Sequence, residues 1–189
     1  MGREQMNIKK LWPGLLVVYL LLVSLAARSE QEISPEMVRA SFILQLQKFV
    51  KFGTPPHNLQ KICYYEKTDV PLDESVGQLI ARHVSKHQGD NYLPSVQKFE
   101  AIGSFSGCDI LFIPASEEKN IDNILTALGP APTLTISSAK RFIYRGGMIG
   151  FLLDSENHVE MEANTKNIKE KNIWIDPSLL EIMRHVEQR

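Results

Sequence analysis

The sequence predicts an α/β protein, with a mostly parallel, Rossmann-like sheet that is covered by helices on both faces and followed by a C-terminal β-hairpin. Short apolar runs alternate along the chain with segments of helical periodicity, and strands separated by helices indicate parallel crossover connections. The clearest run, CDILFIP (108–114), is apolar almost throughout, which is typical of a strand buried on both faces. Two apolar segments flank the turn DSEN (154–157), which indicates the hairpin.

Helices are predicted where apolar residues recur at helical spacing between capping and stop signals. The first begins at Ser34-Pro35, because serine is a favoured N-cap and proline suits the first helical position. We expect the turn GTPP (53–56) to end it. The other predicted helices run from a cap at Asp73 to His87, from a cap at Ser116 to Gly129, over 164–171, and onward from Asp176-Pro177.

Strands are predicted at short runs that are rich in β-branched and aromatic residues and bounded by turn residues. They alternate with helices until the glycine pair at 146–147, after which the hairpin begins. The predicted strands are KICYY (61–65), SVQKFE (95–100), CDILFIP (108–114), TLTIS (133–137), MIGFLL (148–153), HVEME (158–162) and Ile173–Ile175.

Residues 1–26 have the layout of a secretory signal peptide. A basic start precedes an apolar run, Leu11–Ala27, that ends in small residues. The run is about 17 residues long, at the lower edge of what spans a bilayer. We therefore expect cleavage between residues 26 and 29, localisation in the periplasm of a Gram-negative-type bacterium, and no membrane insertion afterwards. A single domain would then occupy residues 27–189; the alternative is an uncleaved membrane anchor.

The charge balance argues against a role in nucleic-acid binding. Removal of residues 1–26 takes away three of the 21 basic residues and one of the 22 acidic residues, which leaves a formal net charge of −3. No block of like charges remains, and the densest basic stretch, around Lys169, is interrupted by Glu170. Such a chain lacks the basic surface that recognition of nucleic acid requires.

Arg145 and the glycine pair Gly146-Gly147 could belong to a loop that binds phosphate. A P-loop, however, needs Gly-Lys-Ser/Thr at its end, whereas Gly147 is followed by Met148. The dinucleotide fingerprint places its glycines between a strand and a helix, whereas this pair leads into a strand. We therefore interpret the pair as a turn with backbone angles that favour glycine, and Arg145 as a surface residue.

No constellation of residues predicts an active site. His83 and His87 lie four apart on a predicted helix and could hold a metal ion, but the glutamate of the His-Glu-x-x-His motif is missing and only Asp90 offers a third ligand. A solvated helix face is the favoured interpretation. The chain also lacks a Gly-x-Ser-x-Gly elbow and a Cys-x-x-Cys pair. We therefore predict that the protein is not an enzyme and carries no metal and no cofactor.

Cys63 and Cys108 are the two cysteines of the chain. In an oxidising compartment an even count allows a disulfide, which would contribute about 4 kcal/mol, while two free buried thiols are the alternative. The two residues lie in predicted strands that could be neighbours, about 4.8 Å apart. The register of these strands then decides whether the sulfurs meet. We predict a bond that supports stability without redox turnover.

Several segments together resemble the YfiR family of exported bacterial proteins, over roughly residues 34–183. RASFILQLQKFVKFG (39–53) resembles the opening helix of the family, and KICYY and GCDILFIP resemble its two cysteine-bearing strands. The signature positions that match are Phe49, Gly146, Gly147, Met148, Ile149, Glu162 and Asn164. Phe52-Gly53 departs from the usual tryptophan-proline, and the second bridge of some relatives cannot form with two cysteines.

The resemblance implies a non-catalytic periplasmic regulator that forms a homodimer. Such a protein binds and restrains the periplasmic part of an inner-membrane signalling protein, for example a diguanylate cyclase in the cyclic-di-GMP signalling that controls biofilms and motility. Glu162 and Ile168 are the candidate residues of the partner surface. The alternative is a periplasmic small-ligand-binding protein or receptor accessory that uses the crevice at the carboxyl edge of the sheet.

Overall fold

The computed structural model describes residues 34–66, 75–87, 93–103, 105–156 and 158–185. The unit described below begins at Ser34. The predicted signal peptide, its cleavage region, Asp73 and Asp90 lie outside the described residues, so the expectation of a single domain over 27–189 stays a prediction.

The described residues form a seven-stranded sheet and a separate two-stranded sheet. The large sheet has the strand order β3-β2-β4-β5-β6-β7-β9, and the small sheet pairs β1 with β8 in antiparallel fashion. The strands are β1 (Val50–Phe52), β2 (Lys61–Tyr65), β3 (Ser95–Phe99), β4 (Ile110–Ile113), β5 (Leu134–Ser137), β6 (Ile149–Leu153), β7 (Val159–Ala163), β8 (Ile173–Ile175) and β9 (Arg184–His185).

The large sheet confirms the predicted fold class. Neighbouring strands are parallel from β3 through β2, β4 and β5 to β6. The chain winds outward from β2 first to β3 and then, on the other side, to β4, so the order reverses next to β2. The predicted hairpin is present, since β6 and β7 pair antiparallel from Ile149↔Ala163 to Leu153↔Val159.

Five helices and three short 3₁₀ turns connect the described strands. The helices are α1 (Pro35–Gln45), α2 (Val76–Lys86), α3 (Ile121–Leu128), α4 (Thr165–Glu170) and α5 (Pro177–Glu181). The 3₁₀ turns are Leu46–Lys48, Ala115–Asn120 and Phe142–Arg145.

Helix α1 ends earlier than the sequence predicts. The Ser34 side chain accepts a hydrogen bond from the Met37 amide at 3.3 Å, so the predicted start is confirmed. The helix stops at Gln45 instead of continuing to GTPP. Val50–Phe52 leave the helical path because they pair with Ile173–Ile175 of β8. Long-range pairing therefore overrides the local helical periodicity.

The caps of α2 and α3 also differ from the prediction. Ser75, and not Asp73, is the N-cap of α2, in a capping box with Gln78 whose two hydrogen bonds are both 3.2 Å long. Ser116 lies inside the 3₁₀ turn and caps nothing, because α3 begins later, at Ile121. Gly129 ends α3 with φ = 60°, as predicted.

Alternate residues of the central strands face two separate apolar cores, which confirms that helices cover both faces. One core lies under α1 and α2 and the other under α3. Strands β2 and β4 contribute Ile62, Tyr64, Ile110 and Phe112 to the first core, and Cys63, Tyr65, Leu111 and Ile113 to the second.

Cys63 and Cys108 form a disulfide with a Cα–Cα distance of 5.8 Å, as predicted. The bond is not a cross-strand pair in register, because Cys63 lies opposite Leu111 of β4. Cys108 precedes β4, in the loop, and both cysteines are buried in the core under α3. The bond therefore fastens that loop to the middle of β2.

Candidate functional site

The glycine pair closes a turn against an aromatic ring. Gly146 ends the 3₁₀ turn with φ = 97°, a left-handed conformation that favours glycine. Gly147 does not have a positive φ; its hydrogen side is covered by the Phe142 ring, and a Cβ atom there would overlap that ring. Both glycines therefore serve the turn. Gly146 is needed for its backbone angle, and Gly147 is needed because the Phe142 ring leaves no room for a side chain.

Arg145 is committed to a neighbouring helix. Its Nε and Nη2 atoms lie 3.0 and 2.9 Å from the two carboxylate oxygens of Asp122, and Nη1 donates to the Glu118 carbonyl at 2.6 Å. Through these bonds the pKa of Asp122 is lowered and that of Arg145 is raised. Arg145 thus holds the turn on α3 and is not aimed into a phosphate cradle.

Asn164 of the family signature is a buried structural clamp. Its backbone amide donates to the Met148 carbonyl at 2.8 Å, and its side-chain amide donates to the Ile143 carbonyl at 3.2 Å. Its side-chain oxygen accepts from the Asn167 amide at 3.1 Å and so caps α4. One residue therefore joins the turn before Gly146, the start of β6 and α4.

Glu162 and Ile168, the candidate partner-surface residues, lie beneath the surface. Glu162 is 7% exposed and Ile168 is 3% exposed. The Glu162 side chain packs on Gly150, its register partner in β6, and burial raises the pKa of its carboxyl. Their part in partner binding stays a prediction. Because both side chains are buried, they could affect a partner only by positioning the exposed residues that pack on them.

His83 and His87 are exposed on the last turn of α2 and its C-cap, with stacked rings whose centroids lie 4.4 Å apart. His87 Nδ1 donates to the His83 carbonyl at 2.8 Å. In the part of the chain that the structure describes, no group of three or more His, Cys, Asp or Glu side chains could hold a metal ion.

An apolar groove between α1 and α5 is the candidate functional site, and we call it the α1–α5 groove. It has a volume of about 270 Å³. Its far wall carries Ile182, directly after α5, which is 64% exposed although fully apolar. The lining residues are Phe42, Gln45, Leu46, Phe49, Ser178, Leu179 and Ile182.

The two walls of the groove are fastened to each other and to the core. The Asp176 amide donates to the Phe49 carbonyl at 2.8 Å, and the Asp176 carboxylate caps α5 through the Ser178 amide at 2.9 Å. The Phe42 ring meets the Phe151 ring edge to face, with centroids 5.6 Å apart. The groove is therefore preformed, which lowers the entropic cost of binding.

Sequence reasoning identified Phe49 as a signature residue but missed the groove. Phe42 and Phe49 are seven apart and look like core residues of one long helix. Ile182 follows a helix of five residues, which is too short to show an amphipathic period. The available signal was Ile182 itself, an apolar residue that lies just beyond the end of α5.

The carboxyl edge of the sheet also carries an open cleft of about 610 Å³, next to the end of β4. Ala115, Ser116, Glu118, Lys119 and Arg145 line it. Its arginine is the one already bonded to Asp122.

No helix among the described residues is long and apolar enough to cross a membrane.

The doubly wound sheet, with an apolar core on each face, defines an α/β protein. The model of the YfiR/HmsC-like family matches residues 36–184, and the chain belongs to that family. The family is one of periplasmic regulatory, non-catalytic proteins, consistent with regulation of cyclic-di-GMP signalling. No curated protein matches the chain.

Solved structures share the fold, among them one from Vibrio cholerae and one from Streptococcus pneumonia. The crystal structure of a conserved domain protein from Vibrio cholerae has a TM-score of 0.58 and 12% identity, over 82% of this chain and 60% of that one. The ABC domain from Streptococcus pneumonia in complex with L-Trp has a TM-score of 0.54 and 12% identity, over 68% of this chain and 55% of that one. The chain thus spans little more than half the length of either protein.

Proposed function

We propose that this protein binds the periplasmic part of an inner-membrane signalling protein, a diguanylate cyclase, and holds it inactive. Family membership supports a periplasmic regulatory role. In this proposal the protein acts by binding and contributes no catalytic residue of its own. We also expect the protein to form a homodimer, which sedimentation velocity would detect.

The α1–α5 groove is the observation that carries the proposal. Its lining is apolar apart from Gln45 and Ser178, and Ile182 exposes a large aliphatic surface next to it. Buried apolar anchors contribute most of the energy at protein interfaces, and amphipathic helices bind in grooves of this kind. The occupant that fits is therefore a helical segment of the cyclase with an aromatic or aliphatic anchor.

Co-purification from solubilised inner membranes tests the binding. The tagged wild-type protein should retain a membrane protein that makes cyclic-di-GMP from GTP once it has been dissociated from the tagged protein. Ile182→Glu should lose it, because a carboxylate in the groove would be desolvated without a partner. Leu153→Glu is the matched control, since Leu153 is also exposed but lies on β6. Equal retention by both variants would contradict the groove.

The second candidate is a small-ligand-binding protein that uses the cleft at the carboxyl edge. The cleft of about 610 Å³ next to β4 is the observation that favours it. The Streptococcus structure with L-Trp supports it at the level of the fold alone. Because Arg145 is committed to Asp122, the cleft offers less binding chemistry than the groove, and we favour the regulator.

A further inference from the structure

We propose that the protein also binds a small oxyanion, a molecule that carries carboxylate or phosphate groups, and that this ligand regulates the α1–α5 groove. The site is a cleft of about 620 Å³ next to the amino ends of β2 and β3, within the volume range of small-molecule sites. We call it the lysine cleft. It is lined by Gln47, Lys48, Lys51, Asn58, Gln60 and two leucines, Leu59 and Leu93.

The lining of the lysine cleft is complementary to an anion. It carries two ammonium groups and three side-chain amides but no carboxylate, although the chain as a whole is acidic. The Lys51 ammonium donates to the Asn58 side-chain oxygen, which positions it and leaves further N–H donors for a ligand. Charge-assisted bonds from two lysines to one oxyanion are strong, and the two leucines offer an apolar surface beside them.

The carboxylate of Asp109 holds the backbone beside the cleft. One oxygen accepts the backbone amides of Gln60 and Lys61 at 2.7 and 2.9 Å. The other lies 2.8 Å from His57 Nε2. Asp109 is buried and does not line the cleft. These bonds fix the backbone at Gln60 and direct the carboxylate charge toward internal partners.

One short segment forms a wall of both sites. Leu46 and Phe49 line the α1–α5 groove, whereas Gln47, Lys48 and Lys51 line the lysine cleft. An anion held between the two lysines would therefore shift the groove wall through six consecutive residues, 46–51. A ligand that prefers one position of this segment changes partner affinity by linkage. This regulatory step rests on the proposed function of the groove, whereas binding in the cleft does not.

Methyl NMR of the free full-length protein tests the cleft, with citrate and pyrophosphate as separate probes. Either probe should shift the Leu59 and Leu93 methyl signals to saturation, at constant ionic strength set with sodium chloride. Lys48→Gln/Lys51→Gln should raise the Kd by about tenfold or more. Lys140→Gln/Lys166→Gln, two exposed lysines elsewhere, should leave it unchanged. No saturable shift with either probe, or equal weakening by both double variants, would overturn the cleft.

The same titration tests the regulation. The Leu46 and Ile182 methyl signals should move with the same Kd as those of Leu59 and Leu93. Shifts confined to the cleft would overturn the regulatory step. A melting curve of each lysine variant shows whether it is folded. If a variant is misfolded, the titration of the wild-type protein, followed by the Leu59 signal, still shows whether the cleft binds the anion. The titration contains no cyclase. Its results for the lysine cleft and for the regulatory step therefore do not depend on whether the protein binds a cyclase.

Discussion

Gly147 shows how one residue can match a functional motif and have a packing role. The sequence correctly indicated a turn, but it assigned the need for glycine at both positions to backbone angles. The positive φ belongs to Gly146, and Gly147 is required because the Phe142 ring covers it. The distinction could not be made from sequence, since the contact depends on how the 3₁₀ turn folds back.

Replacement of Gly147 should therefore destabilise the fold. We expect Gly147→Val to lose about 1–3 kcal/mol of unfolding free energy, because the side chain would collide with Phe142. Gly103→Val is the matched control, since nothing lies near a Cβ atom at that position. Thermal denaturation measures both. An unchanged melting temperature together with loss of phosphate binding would revive the P-loop interpretation.

Glu162 should make stability depend on pH. Burial raises its folded pKa above the ordinary value of 4.5, so its contribution to stability is complete below pH 4.5 and is lost as the pH rises through the folded pKa. Glu162→Gln should therefore be more stable than wild type at neutral pH, and this gain should vanish below pH 4.5. Urea denaturation at both pH values measures it, with Glu170→Gln as an exposed control. A gain independent of pH would contradict the burial effect.

At the scale of elements, local signals predicted the strands from β2 to β8 but missed β1 and β9. The apolar runs of β2 and β4 and the hairpin turn are strong local patterns, and the structure confirms them. β1 and β8 are three residues each and stabilise each other across more than 100 residues of chain, so no local pattern separates β1 from α1. The groove was missed for the same reason, because its two walls, one before β1 and one after β8, are brought together by contacts that are distant in sequence.

The caps give a prediction at this scale. Ser75→Ala should cost about 1 kcal/mol, because it removes one half of the capping box of α2. Ser116→Ala should change stability little, although the sequence favours Ser116 as a cap, because it lies within a 3₁₀ turn. Chemical denaturation of both variants distinguishes the two positions. A larger loss for Ser116→Ala would contradict the assigned caps.

For the whole molecule, the disulfide fastens the loop before β4 to the middle of β2. Replacing both cysteines, in Cys63→Ala/Cys108→Ala, should lower the melting temperature, because a constraint worth about 4 kcal/mol on the unfolded chain is lost. Cyclase binding in the cold should persist, since the bond lies in the core under α3 and away from the groove residues. Thiol titration of denatured, unreduced periplasmic protein should find no free thiol. Two titratable thiols per chain would mean that the bond is absent.

Restraint of a cyclase is the central claim for the whole molecule, and cyclase activity in detergent measures it most directly. Adding the wild-type protein to the diguanylate cyclase, once the cyclase is freed from the co-purified complex, should lower its rate of cyclic-di-GMP formation in a saturable manner. Ile182→Glu should leave the rate unchanged, whereas Leu153→Glu should inhibit as the wild type does, because only Ile182 lies in the α1–α5 groove. A cyclase rate that the wild-type protein does not change, or that Ile182→Glu still lowers as strongly, would contradict restraint through the groove.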